Sequence, residues 1–377
     1  MVKSIRERII MGKCIVALFS CIILLSSCSV KKAQKSLLSN PALQGAHVGL
    51  AIYNDSKGEW ITKYQGDHYF TPASNVKILA TYVALQFLGD SLPAWRMAEK
   101  NDSLFLYPMG DPSFMHPDFK YQPVVELIKS SAKKIILTPS NQKDKFGVFG
   151  EGWAWDDRGE EYQVERSRLP FLGNMYAYQK LSLKDTLGVN LQYGIFPTDV
   201  PSTIIKTVPT DSLLKIMMSR SDNFYAEQVL LMASELLLSK MDDHAFIDNF
   251  SKSEFTYLPQ PMKWVDGSGL SRYNLNTPEN FIAILKQMQA KFGERRVNNI
   301  FEKGGEGTLS TYYKNFPGVL YAKTGTLGGQ VALSGIIYTQ KKQKLFFSIL
   351  VNNHLSKSTG TVRKAVETYL IKIAKSK

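Results

Sequence analysis

Cysteine is nearly missing from this chain: three occur in 377 residues, Cys14, Cys21 and Cys28, all near the start. Beyond them there is no pair to form a disulfide and no thiolate set to hold zinc. Histidine is as sparse. His47, His68, His116, His244 and His354 are scattered without metal-ligand spacing, so neither metal nor cofactor is expected. Long apolar runs are missing too, since Ile15 to Leu25 falls short of the roughly 20 residues that a membrane-crossing helix needs. The formal charge is +13, yet no basic run is interleaved with aromatics, which argues against nucleic acid as a partner. No internal repeat is present.

The first residues carry an address. Lys3, Arg6, Arg8 and Lys13 precede the apolar run, and Leu25-Ser26-Ser27-Cys28 follows it, the layout of a cleavable export signal. Those last four residues resemble a bacterial lipobox. The expectation is that residues 1–27 are removed and that Cys28 becomes a lipid-modified first residue. The product is then a periplasmic lipoprotein of the cell envelope, anchored to a membrane. About +10 remains on it, a balance suited to anionic envelope polymers. Residues 28–41, polar and lysine-bearing, read as a tether.

With 44% apolar and 21% charged residues, the rest has the composition of a globular protein, long enough for two structural units. Strand-like runs at His47 to Tyr53 and Trp60 to Tyr64 flank a turn at Asn54 to Gly58. Short mixed segments fill Ser91 to Ser202. Helical periodicity returns at Asp211 to Ser219 and Phe224 to Leu238. Strands are expected at Val319 to Thr324, Val331 to Tyr338 and Lys344 to Asn352, then a closing helix with Val362, Val366, Tyr369, Leu370 and Ile373 on one stripe. This order predicts an α+β protein, with a discontinuous unit of residues 42–90 and 203–377 and a smaller inserted domain over 91–202.

Three motifs stand out. Ser74-Asn75-Val76-Lys77 opens a helix that is apolar on all sides from Val76 to Leu88, the mark of a buried helix. Ser221-Asp222-Asn223 lies between two helical runs, and Lys323-Thr324-Gly325 lies on a strand; each triplet occurs once. Singly, each has an ordinary explanation: Ser74 as a helix cap, Ser221 and Asp222 as caps of the following helix, Lys323 as a guard on a sheet edge. Jointly, they equip an acyl-transfer site. A serine hydroxyl needs a base, and Lys77 shares a helix face with Ser74. Burial disfavours the ammonium form of Lys77, and a second cation at Lys323 is expected to act the same way. Ser74 would then attack a carbonyl, with backbone N–H groups of Ser74 and Thr326 holding the oxyanion. Ser221 would relay a proton to the departing amine and Asn223 would orient the substrate backbone. Lys323, Thr324 and Thr326 combine charge and hydroxyls in the way a terminal carboxylate requires.

The same trio, in this order, is documented for serine β-lactamases and penicillin-binding proteins. With Met109 to Ser113, Asp266 to Ser271, Asn276-Thr277-Pro278, Gly307-Thr308-Leu309 and Ala322 to Leu327, the chain resembles the class C low-molecular-mass penicillin-binding proteins from about His47 to Asn353. That family comprises D-alanyl-D-alanine carboxypeptidases and endopeptidases. The resemblance implies a transpeptidase-like fold, an antiparallel sheet flanked by helices with the serine at the start of a central helix. It also implies Ser74 as nucleophile, Lys77 as base, Ser221 and Asn223 as the second motif, and Lys323, Thr324, Gly325 and Thr326 as the third. Peptidoglycan stem peptides would be substrates, and β-lactams covalent inhibitors. Two departures are visible: a short stretch between Ser74 and Ser221, and only fragments of the family pattern from Tyr162 to Asn174. Asp156 and Asp157, after Trp155, are expected near the cleft, where carboxylates suit the amino end of a diaminopimelate-type peptide. A serine β-lactamase and a non-catalytic wall-binding lipoprotein are the competing readings.

Overall fold

A computed structural model describes residues 29–174 and 182–377, so Cys14, Cys21, the export signal and the lipid-bearing Cys28 lie outside the described residues. The chain opens with α1 (residues 29–38), the hairpin β1 (His47–Asn54) and β2 (Glu59–Tyr64), and α2 (Lys77–Phe87). Next come β3 (Ser91–Lys100), β4 (Ser103–Pro108), α3 (Pro123–Ser130), β5 (Lys134–Leu137), α4 (Leu183–Leu187), β6 (Leu191–Tyr193) and β7 (Ser202–Pro209). Helices follow: α5 (Thr210–Arg220), α6 (Asn223–Leu238), α7 (Asp243–Glu254), α8 (Pro278–Phe292) and α9 (Glu294–Ile300). The chain closes through β8 (Glu302–Lys303), β9 (Gly318–Leu327), β10 (Gln330–Thr339), β11 (Lys344–Asn352) and α10 (Thr359–Ser376).

Among the described residues two sheets form. The larger is antiparallel, in the order β2-β1-β11-β10-β9-β8. Its inner strands are buried on both faces, which is why β10 and β11 read as nearly unbroken apolar runs instead of alternating ones. On one face Ala332, Ile336 and Leu350 pack with α2, α6 and α8; on the other Val331, Leu333 and Ile337 pack with α10. The smaller sheet, in the order β6-β5-β4-β3-β7, is drawn wholly from Ser91 to Pro209 and encloses its own core around Trp95, Leu104 and Leu106.

The stretch expected to be a tether is corrected by the structure. Residues 29–38 are helical, and Val30, Ala33 and Leu37 are buried in the cluster shared with α10 and the larger sheet. Their spacing is that of one helix face, and the polar residues between them point outward. Three modest apolar residues among lysines and serines make a weak period, which tertiary packing completes.

Candidate active site

Ser74 sits in a short 3-10 turn, Ala73–Val76, that leads into α2. Two glycines hold this turn in place. Gly269 has φ +85°, and a Cβ there would lie 2.0 Å from the Ala73 carbonyl oxygen. At Gly325 on β9 a Cβ would lie 2.8 Å from the Pro72 oxygen and 3.1 Å from the Ser74 nitrogen. The serine turn is thus pressed between the loop of residues 266–271 and the third-motif strand. The Ser74 N–H lies directly against β9, the side-by-side arrangement that an oxyanion pair with Thr326 requires.

Lys77 is fully buried one turn along. Its Nζ lies 3.1 Å from Ser74 Oγ, 2.5 Å from Asn223 Oδ1 and 2.7 Å from the Ser268 carbonyl oxygen. Burial pushes this amine down to about 8, against the opposing pull of Asp266, Asp222 and Glu227. Lys323 is also fully buried, and its Nζ donates to Ser221 Oγ and to the Thr324 carbonyl oxygen, both at 2.9 Å. Burial, then the charge of Lys77, holds Lys323 well below its ordinary value. Desolvation is therefore the main reason Lys77 lies below its ordinary value, and the repulsion between the two amines falls chiefly on Lys323.

The second motif serves folding and site together. Ser221 ends α5 in the left-handed region at φ 59°, and Asp222 caps α6 by accepting the Tyr225 N–H at 3.0 Å. Asn223, first residue of α6, accepts from Lys77 and donates through Nδ2 to the Tyr162 carbonyl oxygen at 2.8 Å. Its amide, expected to orient the substrate backbone, is thus paired with the chain's own Tyr162.

On β9 alternation separates the third motif into two faces. Lys323 and Gly325, opposite Ser334 and Ala332 in the ladder, face the serine helix. Thr324 and Thr326, opposite Leu333 and Val331, face α10. There Thr324 Oγ1 donates to Thr308 Oγ1 at 2.9 Å, and Thr326 Oγ1 accepts from Arg363 at 2.5 Å. Because β8 pairs with β9 only at Ala322 and Tyr321, no strand among the described residues covers 323–327. An extended peptide can pair with that edge.

Asp156 and Asp157 lie in the 3-10 turn Trp155–Asp157. Asp156 is exposed, whereas Asp157 is half-buried beside the Tyr162 hydroxyl, whose ionisation desolvation, and then Asp157, opposes. Since the Tyr162 carbonyl rests on Asn223, Asp157 stands one residue away from the site's wall.

Sequence reasoning missed the acidic support behind Lys77. Glu227, one turn after Asn223, accepts the Ser268 N–H at 2.7 Å and meets Arg166, which also binds Asp243. Burial first, and Asp266 next, push Glu227 up to about 7. Asp266 gathers the N–H groups of Gly269 and Ser271, the Asn274 amide and the Trp153 indole, which fixes the loop carrying the Ser268 carbonyl. A carboxylate one turn after the second motif, in a helix that is mostly apolar, was the available signal for Glu227.

Comparison with known proteins fits this geometry. A penicillin-sensitive carboxypeptidase A from Dictyostelium discoideum is 32% identical over 108 residues, 26% of this chain and 21% of that protein. A D-alanyl-D-alanine carboxypeptidase from Actinomadura sp. (strain R39) is 33% identical over 117 residues, 29% of this chain and 22% of that protein. The chain therefore aligns with well under two thirds of these relatives' length. Penicillin binding protein 4 from Haemophilus influenzae shares the fold, with a TM-score of 0.70 at 17% identity over 92% of this chain and 98% of that one. So does a predatory peptidoglycan endopeptidase from Bdellovibrio bacteriovorus, with a TM-score of 0.58 at 14% identity over 88% and 93% of the two chains. The α+β architecture expected from the sequence is the one observed. Residues 30–179 and 203–373 match one family model, and the chain belongs to the D-Ala-D-Ala carboxypeptidase 3 (S13) family.

Proposed function

We propose that this protein is a serine-type D-alanyl-D-alanine carboxypeptidase of peptidoglycan, able also to cut D-alanyl crosslinks, and that β-lactams acylate it. The observation that carries this reading is the Lys77 amine 3.1 Å from Ser74 Oγ, buried and held by Asn223 and Ser268. A neutral amine has two hydrogens and one lone pair. With the hydrogens given to Asn223 and Ser268, the lone pair faces Ser74 and accepts its proton as Oγ attacks the scissile carbonyl. The C–N bond then breaks as Ser221, in contact with Lys323, passes a proton to the leaving amine and takes back the one that Lys77 received, which leaves Lys77 neutral again. Water attacks the resulting ester and releases the acyl group.

Asp157, beside Tyr162, is the better candidate of the two aspartates for the free amino end of a diaminopimelate-type stem peptide. Cys28 would carry the lipid, immediately before α1. No helix among the described residues is long and apolar enough to cross a membrane.

Replacing Ser74 by alanine tests the reading. Covalent labelling by penicillin and release of terminal D-alanine from stem peptides should both disappear, and residual release would contradict it.

A further inference from the structure

We infer that Arg363 of α10, acting with the Thr326 hydroxyl, is the cation that recognises the carboxylate at the end of the substrate chain. This rests on the proposed peptidase function and names the group that selects its substrate. The motif lysine is badly placed for the task. Lys323 is fully buried, its amine engaged by Ser221 and by the Thr324 carbonyl, on the sheet face turned toward the serine helix. The threonines lie on the opposite face.

On that face Arg363 Nη2 donates to Thr326 Oγ1. A hydroxyl that accepts such a bond turns its own hydrogen away from the guanidinium, so Thr326, which is exposed, offers a donor to the open strand edge. Arg363 lies over the Tyr312 ring at 6.0 Å, and no carboxylate among the described residues pairs with it. Arg166, Arg168, Arg220 and Arg296 each meet an acidic partner, and of the arginines that do not, Arg363 is the one that donates to a third-motif hydroxyl. An arginine keeps its charge at every working pH, and its planar fork matches a carboxylate.

Position supports the assignment. Gly325, the residue of β9 pressed against the Ser74 turn, is followed by Thr326, and Arg363 stands beside that threonine.

The test uses the full-length protein and two acyl donors, an N-acylated tripeptide ending in D-Ala-D-Ala and the same peptide with a C-terminal carboxamide. The unsubstituted protein should prefer the acid. In Arg363→Ala the ratio of kcat/KM for acid over amide should fall about 10- to 100-fold, through KM, the scale of one charge-assisted hydrogen bond. Arg363→Lys should restore part of it, and thermal melting, followed in parallel, reports on folding. An unchanged ratio, or equal loss on both peptides, would overturn the assignment while leaving the peptidase reading intact. Release of neither D-alanine nor D-alaninamide from the two peptides by the unsubstituted protein would overturn both.

Discussion

Lys77 meets three acceptors, Ser74 Oγ, Asn223 Oδ1 and the Ser268 carbonyl, and this count decides its chemistry. As an ammonium it spends every hydrogen and cannot receive a proton; as an amine it keeps one lone pair for Ser74. Arginine cannot lose its charge, so Lys77→Arg should cut the acylation rate about 10²- to 10⁴-fold, the usual contribution of a general base, as measured by stopped-flow with a chromogenic β-lactam. The same burial leaves a mark on stability. Lys77 stands at about 8 when folded against 10.5 ordinarily, so the unfolded chain holds more protons in that window and stability rises with pH across it. Glu227 stands at about 7 against 4.5, so the folded chain holds more protons there and stability falls as pH rises from 4.5 to about 7. Urea midpoints across pH should show both limbs, with Lys77→Met removing the upper one and Glu227→Gln the lower.

The elements matter through how closely they approach. The turn before α2 is fixed by Gly269 and Gly325, and a methyl group at residue 269 would meet the Ala73 carbonyl in a backbone region that favours glycine. Gly269→Ala should therefore destabilise the protein by about 3 kcal/mol or more, read from denaturant unfolding, and lower penicillin labelling further than the unfolded fraction explains. Much at this scale was legible in the sequence. Strands β1, β2 and β9 to β11 and helices α2, α5, α6 and α10 follow from their apolar patterns, and Ser74, Lys77, Ser221 and Lys323 from three short motifs; the two-residue β8 was not legible. What stayed hidden depends on distant packing. Arg166 finds Glu227 and Asp243 across more than 60 residues, Arg363 reaches Thr326 only because α10 lies on that face, and α1 has just Val30, Ala33 and Leu37 to announce it.

At the scale of the whole molecule the larger sheet works as a partition. One face carries the serine helix and the two buried lysines; the other carries α10, the threonines and α1. Exchange of Cys28 for alanine should move the protein from a detergent-requiring membrane fraction to a soluble one, with its in vitro acylation unchanged; continued membrane retention would count against the anchor. The partition also explains why Lys77 is dry: α2, α6 and the loop of residues 266–271 close around it, and that exclusion of water sets its proton affinity. The most direct test is the pH dependence of the second-order acylation rate constant, measured at β-lactam concentrations well below saturation, which reports the free protein's groups. The account predicts a rise to a plateau with its midpoint near pH 8 that vanishes in Lys77→Arg, and a rate that stays flat from pH 6 to 10, or an unchanged rise in that variant, would contradict it.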